Sequence, residues 1–205
     1  MSTTRCSYWW DDNVKFGLSV SVAPTAEPVS VDDVKNHARI DIDDDDVLVE
    51  NKIKAARELC ETYIKRAFVS RTLRLTLDEM PAWEFYLPRP PLVSVTSVKY
   101  IDSSGTQQTI SASDYSVDIY TEPGRITPAY GLSWPSGRAH TNAIEVIYVA
   151  GYGAAASVPQ SIKDAIAMTV TQYYWNRGDE GDKPLTEIPR GAKSLLRSQA
   201  WGYLP

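Results

Sequence analysis

The longest hydrophobic pattern in the chain has the period of a helix. Apolar side chains recur at steps of three and four between residues 44 and 67, which is typical of one buried face of an amphipathic helix. These side chains are Val49, Ile53, Ala56, Cys60, Tyr63, Ile64 and Ala67. The opposite face is charged and contains opposite charges at helical spacing, as in Glu50 with Lys54. We expect that face to be exposed to water.

Two further helices are predicted. The first covers residues 30–39, because Ser30 stands at an N-cap position and Asp33 follows three residues later, as in a capping box. The second covers residues 159–177, where Pro159 occupies a favoured position in the first turn and apolar residues recur with helical spacing.

Between these helices the period changes to two, which is typical of half-buried strands. Leu73, Leu75 and Leu77 alternate with polar residues, and shorter strand-like stretches follow with turn sequences between them. The predicted strands are 84–87, 92–101, 106–110, 115–120 and 143–149. Short strands at regular spacing indicate a small antiparallel sandwich or barrel.

The order of the elements predicts an α+β fold in which a helical platform carries an inserted small antiparallel β domain. The predicted divisions are an N-terminal arm at 1–28, the platform at 29–70 and 157–180, the β insertion at 71–156 and a C-terminal tail at 181–205. The arm contains Trp9 and Trp10, which either fold back on their own subunit or are covered by a neighbouring molecule.

Composition is ordinary for a globular protein of 205 residues, with 43% hydrophobic and 23% charged residues. The formal net charge of -5 argues against a surface that grips nucleic acid, because phosphate binding needs clustered Lys and Arg. Cys6 and Cys60 lie in unlike settings, which argues against a disulfide framework and favours synthesis in a reducing cytoplasm. No stretch reads as a signal peptide or a membrane span, so we expect no membrane association.

The acidic stretch before the long helix, residues 41–46, which we call the acidic break, resembles a metal site only in part. Asp41, Asp43 and Asp45 fit the first half of a calcium-binding EF-hand loop, but Asp46 stands where that loop needs glycine and Lys52 where it needs glutamate. We therefore expect these acids to cap the next helix and to face water, and we expect no metal or other cofactor.

Catalytic motifs are not recognisable in the sequence. The two histidines do not belong to a zinc or Ser-His-Asp pattern, and residues 151–153 do not complete the glycine-rich fingerprint of a dinucleotide site. We therefore expect a protein that is not an enzyme.

The motifs, taken in order, resemble the head-to-tail connector, or adaptor, family of tailed bacteriophages and gene transfer agents, in the branch with a β insertion between helices. The stretches that carry the resemblance are VSVDDVKNHARIDIDDDDVLVENKIKAARELCETYIKRA at 29–67, LRLTLDEMP at 73–81, YLPRPPLVSVTSVKYIDSSG at 86–105, YSVD at 115–118, PGRITPAYGLSWP at 123–135, NAIEVIYVAGYG at 142–153 and VPQSIKDAIAMTVTQYYWNRGD at 158–179. Each stretch is weak alone, and their order and spacing make the resemblance specific.

The resemblance implies a structural protein in the neck of a virion or phage-like particle, made in the bacterial cytoplasm. It implies a ring of about twelve copies that docks beneath the portal protein, receives a stopper or tail-completion protein, and lets DNA pass without specific binding.

The resemblance also implies that a terminal tail inserts into the portal. We expect the portal-binding residues to be Leu195, Leu196, Trp201, Tyr203 and Leu204. The alternative is that this segment packs on its own subunit. The candidates for a subunit or tail interface are Trp9, Trp10, Glu50, Lys54, Arg57 and Glu61.

Two other hypotheses remain open from the residues alone. In one, exposed aromatic side chains of the β insertion, such as Trp83 and Trp134, recognise a glycan or a peptide. In the other, the protein is a hydrolase, and carboxylates of residues 43–46 are its catalytic groups.

Overall fold

A computed structural model of the protein describes residues 16–176 and 188–200. The helices of this part of the chain are Val31–Ala38 (α1), Asp46–Ile64 (α2), Gln160–Trp175 (α3) and Arg190–Arg197 (α4), with a short 3-10 turn at Ala155–Ser157. The strands are Phe16–Val22 (β1), Arg71–Leu77 (β2), Phe85–Tyr86 (β3), Leu92–Ile101 (β4), Gln107–Ile110 (β5), Tyr115–Asp118 (β6), Arg125–Pro128 (β7) and Ile144–Ala150 (β8). The predicted α+β fold class is confirmed.

The chain divides into two compact units. Among the described residues, the first unit, which we call the β unit, consists of residues 16–23 and 71–150. The second, which we call the helical unit, consists of residues 24–70, 151–176 and 188–200. The chain therefore leaves and re-enters each unit, so neither is formed by one continuous stretch of sequence.

The β unit contains two antiparallel sheets, one with the strand order β1-β2-β8-β4-β5 and one with the order β3-β7-β6. Alternate residues of β8 are buried, as the period of two predicts. Val146 lies opposite Leu75, and Tyr148 lies opposite Leu73. The buried Tyr148 hydroxyl donates to the Pro88 carbonyl over 2.7 Å, and burial raises the pKa of this phenol.

β4 and β5 form a hairpin, and its turn is organised by one carboxylate. Asp102 accepts hydrogen bonds from the backbone N–H groups of Ser104 and Thr106 and from the side-chain amide of Gln108. Together with the Ser104 hydroxyl, these donors lower the pKa of Asp102 to about 2.

Two strands were not predicted. β1 pairs with β2, so residues 16–22 of the predicted N-terminal arm belong to a sheet. Their side chains are exposed or half-buried throughout, and strands of that kind lack the alternation on which the prediction depends. β7 has only four residues and ends at Pro128, so its sequence resembles that of the turns around it.

The helical unit has one hydrophobic core, to which all four helices contribute. Its buried side chains from α2 include Val49, Ile53, Ala56, Cys60 and Ile64, which are residues of the predicted apolar face. Cys60 is a free thiol, and burial raises its pKa to about 12.

The capping box predicted at α1 is present. The Ser30 hydroxyl accepts from the Asp33 N–H over 3.1 Å, and the Asp33 carboxylate accepts from the Ser30 N–H over 3.2 Å.

The glycines of residues 151–153 have a structural explanation. The Tyr152 N–H donates to the Phe68 carbonyl and the Ser70 N–H donates to the Gly153 carbonyl, each over 2.9 Å. A Cβ atom on Gly151 would lie 2.6 Å from the Ser70 nitrogen, and the φ of Gly151 is +132°. Glycine is therefore required by the close approach of two backbone segments.

Candidate assembly interface

Two charged residues of α2, Arg57 and Glu61, are buried although they lie on the face that the sequence predicts to be solvated. Only 6% of the Arg57 side chain and 5% of the Glu61 side chain are accessible. Arg57 Nη1 donates to Glu61 Oε2 over 2.9 Å, and Arg57 Nε donates to Glu27 Oε2 over 2.7 Å. The Phe68 N–H donates to Glu61 Oε1 over 2.9 Å.

This network corrects the expected position of Arg57 and Glu61. Each charge is compensated inside the helical unit, because Glu61 neutralises Arg57 and also accepts the N–H of the segment that follows the helix. The two residues therefore stabilise their own subunit, and their burial gives no support to the interface role expected for them.

Glu50 and Lys54, in contrast, lie at the surface as predicted. Lys54 Nζ donates to Glu50 Oε1 over 2.8 Å, and about half of each side chain is accessible. The bond to Glu50 raises the pKa of Lys54. An exposed pair of this kind contributes little to the stability of a helix. Both residues remain available to a neighbouring molecule.

The acidic break holds the start of α2 to two other helices. Lys35 Nζ contacts Asp43 over 2.6 Å and Asp46 over 2.8 Å. These bonds raise the pKa of Lys35, and the bond to Lys35 lowers the pKa of Asp43. The Tyr174 hydroxyl of α3 donates to Asp45 Oδ2 over 2.6 Å.

The prediction that these acids cap α2 is wrong for Asp45. Asp45 is the N-cap residue of α2, but its side chain makes no capping hydrogen bond and is turned to Tyr174 instead. Among residues 16–176 and 188–200, no group of three His, Cys, Asp or Glu side chains is arranged to hold a metal ion. None of the helices in the same ranges combines the length and apolarity needed to cross a membrane.

Leu195 and Leu196, two of the expected portal-binding residues, lie in α4. Leu196 is completely buried in the core of the helical unit, and Leu195 packs against that core while half-buried. This is the arrangement of the alternative, in which the segment packs on its own subunit. Leu196 thus has no accessible surface with which to bind a portal.

The remaining aromatic candidates of both chain ends, together with the last leucine, lie outside the described residues. They are Trp9, Trp10, Trp201, Tyr203 and Leu204.

The two tryptophans considered for glycan or peptide recognition differ in role. Trp134 is half-buried, its ring centroid lies 5.4 Å from that of Phe85, and its indole N–H donates to the Trp83 carbonyl over 2.6 Å. Trp83 is 60% exposed. Trp134 therefore packs its own loop against Phe85 of the smaller sheet. Of these two tryptophans, Trp83 is the one whose ring is available to bind a glycan or a peptide.

Sequence reasoning missed three exposed apolar residues of the helical unit. Ile42, Val47 and Trp175 are 52%, 70% and 62% exposed. Ile42 and Val47 are apolar but fall outside the apolar faces of the predicted helices. Their positions in the sequence could therefore have indicated that they are exposed.

The chain belongs to the head completion protein family, whose sequence profile matches residues 27–186. The resemblance to head-to-tail connectors is thereby confirmed at the level of the family. A search of curated proteins found no match.

Three chains of solved gene transfer agent particles have the same fold. A chain from the neck of an empty particle, computed with C6 symmetry, has a TM-score of 0.74 and 21% identity, with 92% of this chain and 100% of that chain covered. A chain from the virion of a native particle has a TM-score of 0.75 and 21% identity, with 92% and 97% covered. A chain from the neck of a native particle, computed with C12 symmetry, has a TM-score of 0.69 and 23% identity, with 93% and 100% covered.

Proposed function

We propose that this protein is a head-to-tail connector in the neck of a tailed phage or phage-like particle. The observation that carries the proposal is the match of residues 27–186 to the head completion protein family. The fold supports it, because neck proteins of gene transfer agent particles share it over 92% or more of this chain. The role is structural, and the alternative of a glycan- or peptide-binding module is not favoured by the family match.

In this proposal the subunits form a closed ring, of twelve copies by analogy with the neck structure computed with C12 symmetry. A cyclic ring uses two different faces of each subunit, so part of the surface that is exposed on the single subunit is covered in the assembly. The ring docks on the portal protein, receives a stopper or tail-completion protein on its other side, and surrounds the DNA. A net charge of -5 suits a channel that does not hold phosphates.

The portal-binding tail that we propose is shorter than the segment from Leu195 to Leu204 that the resemblance implies. Since Ala192 and Leu196 belong to the core of the helical unit, we place the tail after α4, in residues 201–205, where Trp201, Tyr203 and Leu204 supply apolar contact. Deleting these five residues therefore spares the described core, whereas deleting α4 removes part of it.

The proposal is tested by co-sedimentation of the protein with the portal protein of the same particle. The full chain is expected to bind, and the chain without residues 201–205 is expected to lose binding while its circular dichroism is unchanged. Trp83→Ala in the β unit is the control and is expected to bind normally. Failure of the full chain to bind contradicts the connector role, and loss of binding in the control alone favours the aromatic binding module.

A further inference from the structure

A mixed apolar and acidic surface lies where α2 begins and α3 ends. The hydrogen bond from Tyr174 to Asp45 joins these two helix ends, and the Trp175 ring lies edge-on to Tyr174 with ring centroids 5.2 Å apart. Ile42 and Val47 flank the same junction in the sequence, and both are more than half exposed. Five exposed residues lie in the two segments that meet at this junction, and we call them together the acidic patch: Asp41, Ile42, Asp44, Val47 and Trp175.

Two carboxylates of the acidic patch have no partner in the described part of the chain. Lys35 forms ion pairs with Asp43 and Asp46, and the Tyr174 hydroxyl donates to Asp45, so three acids of the acidic break have side-chain partners. Asp41 and Asp44 are exposed, and their carboxylates make no hydrogen bond or ion pair with any described residue. Exposed apolar side chains rimmed by uncompensated charge are typical of an interface that needs a basic partner.

The exposed side of α4 carries the opposite charge. Ala192 and Leu196 face the core, whereas Arg190, Lys193 and Arg197, spaced by three and four positions, share the outer face. We call these three residues the basic face. Residues 188–200 contain no acid, and the side chains of Arg190 and Arg197 make no ion pair or hydrogen bond with a described residue.

We infer that the acidic patch of one subunit receives the basic face of α4 of the next subunit. This pairing rests on the proposed function, because it presupposes a ring. A head-to-tail ring contact needs two different and complementary surfaces on the same chain, and the acidic patch and the basic face are two such surfaces on one unit. Arg190 and Arg197 are seven residues apart, which is about 10 Å along the helix, so both reach a patch of ordinary interface size.

Charge reversal with rescue tests the pairing, using the full chain and the portal protein of its particle. One variant is Arg190→Glu/Arg197→Glu, another is Asp41→Lys/Asp44→Lys, and the third combines all four changes. Ring formation is followed by native mass spectrometry and electron microscopy over a range of protein concentrations, and circular dichroism reports folding. Each double variant is expected to raise the concentration at half assembly by about tenfold or more, and the combined variant to recover it.

A matched control separates local pairing from net charge. Arg190→Glu/Arg197→Glu combined with Glu79→Lys/Asp114→Lys restores the same net charge at exposed positions of the β unit. Recovery in the combined patch variant but not in this control supports the pairing. Equal recovery in both, or unchanged assembly in the double variants, overturns it.

The remaining outcomes separate the pairing from the function on which it rests. If the wild-type chain forms no ring under any condition, the proposed function fails and the pairing fails with it. If rings form normally but reversal of the basic face weakens salt-dependent DNA binding, α4 faces DNA and the pairing is wrong.

Discussion

Replacement of Glu61 by alanine is expected to be the most damaging single change on the charged side of α2. The side chain is 5% accessible and accepts hydrogen bonds from Arg57 and from the Phe68 N–H. Its removal leaves the Arg57 guanidinium with only part of its compensating charge and leaves a buried N–H without this acceptor.

The magnitude follows from these two losses. Breaking a buried ion pair by removing one partner costs about 3–5 kcal/mol, and a buried unpaired N–H costs about 1–3 kcal/mol. The losses share one carboxylate and are not additive, so we expect Glu61→Ala to lower the free energy of unfolding by about 3–5 kcal/mol. Glu61→Gln is expected to cost less, because its amide oxygen still accepts from the Phe68 N–H.

The assay is urea unfolding followed by circular dichroism. For an m-value of about 2 kcal/mol/M, the midpoint of Glu61→Ala is expected to fall by about 2 M. Glu50→Ala on the same helix is the control, and removing its exposed pair is expected to leave the midpoint almost unchanged. Equal shifts of the unfolding midpoint in the two variants would refute the reasoning. If Glu61→Ala instead lost ring assembly and kept its stability, Glu61 would be an interface residue after all.

Three further predictions concern other parts of the chain. Leu196→Ala is expected to lower the free energy of unfolding by about 2–5 kcal/mol because its side chain is fully buried, with the half-buried Leu195→Ala as the milder control; equal and small losses would contradict the assigned packing. The pKa of Asp102 is lowered to about 2 by hydrogen bonds from Ser104 and other groups of its turn. These bonds stabilise the folded turn fully at a pH above 3.8, the pKa of the unfolded chain, and the stabilisation is lost as the pH falls towards 2. An NMR titration that gives this carboxyl a pKa near 3.8 would contradict the assignment. Cys60, with its pKa raised to about 12 by burial, is expected to resist a thiol reagent until the protein is unfolded in urea, and rapid labelling of the native protein at this residue would contradict its burial.

The parts of the fold that could be predicted are those controlled by local pattern. The apolar face of α2 follows from spacing alone, and Val49 and Ile53 are buried as expected. The capping box at Ser30 was readable because both of its partners lie within one turn. The alternation of Leu73 to Leu77 predicted β2 for the same reason.

The parts that could not be predicted depend on partners distant in the sequence. From the sequence alone Arg57 has the spacing of an exposed residue. Its burial depends on Glu27, thirty positions away, which accepts from Arg57, and on the Phe68 N–H, which donates to Glu61. β1 becomes a strand through pairing with β2, which follows it only after the first two helices of the chain.

The candidate surfaces show the same limit. The cations of the basic face are visible in the sequence, but their assignment to the outer side of α4 depends on Ala192 and Leu196 packing in the core. Trp175 adjoins the apolar residues of α3, so only the structure shows that its ring is exposed beside the start of α2.

Electron microscopy of the full chain mixed with the portal protein of its particle tests the connector role most directly. We expect a closed ring of this protein bound coaxially to the portal, with an open central channel wide enough for duplex DNA. A protein that remains monomeric and unbound in the presence of assembled portal would contradict the account.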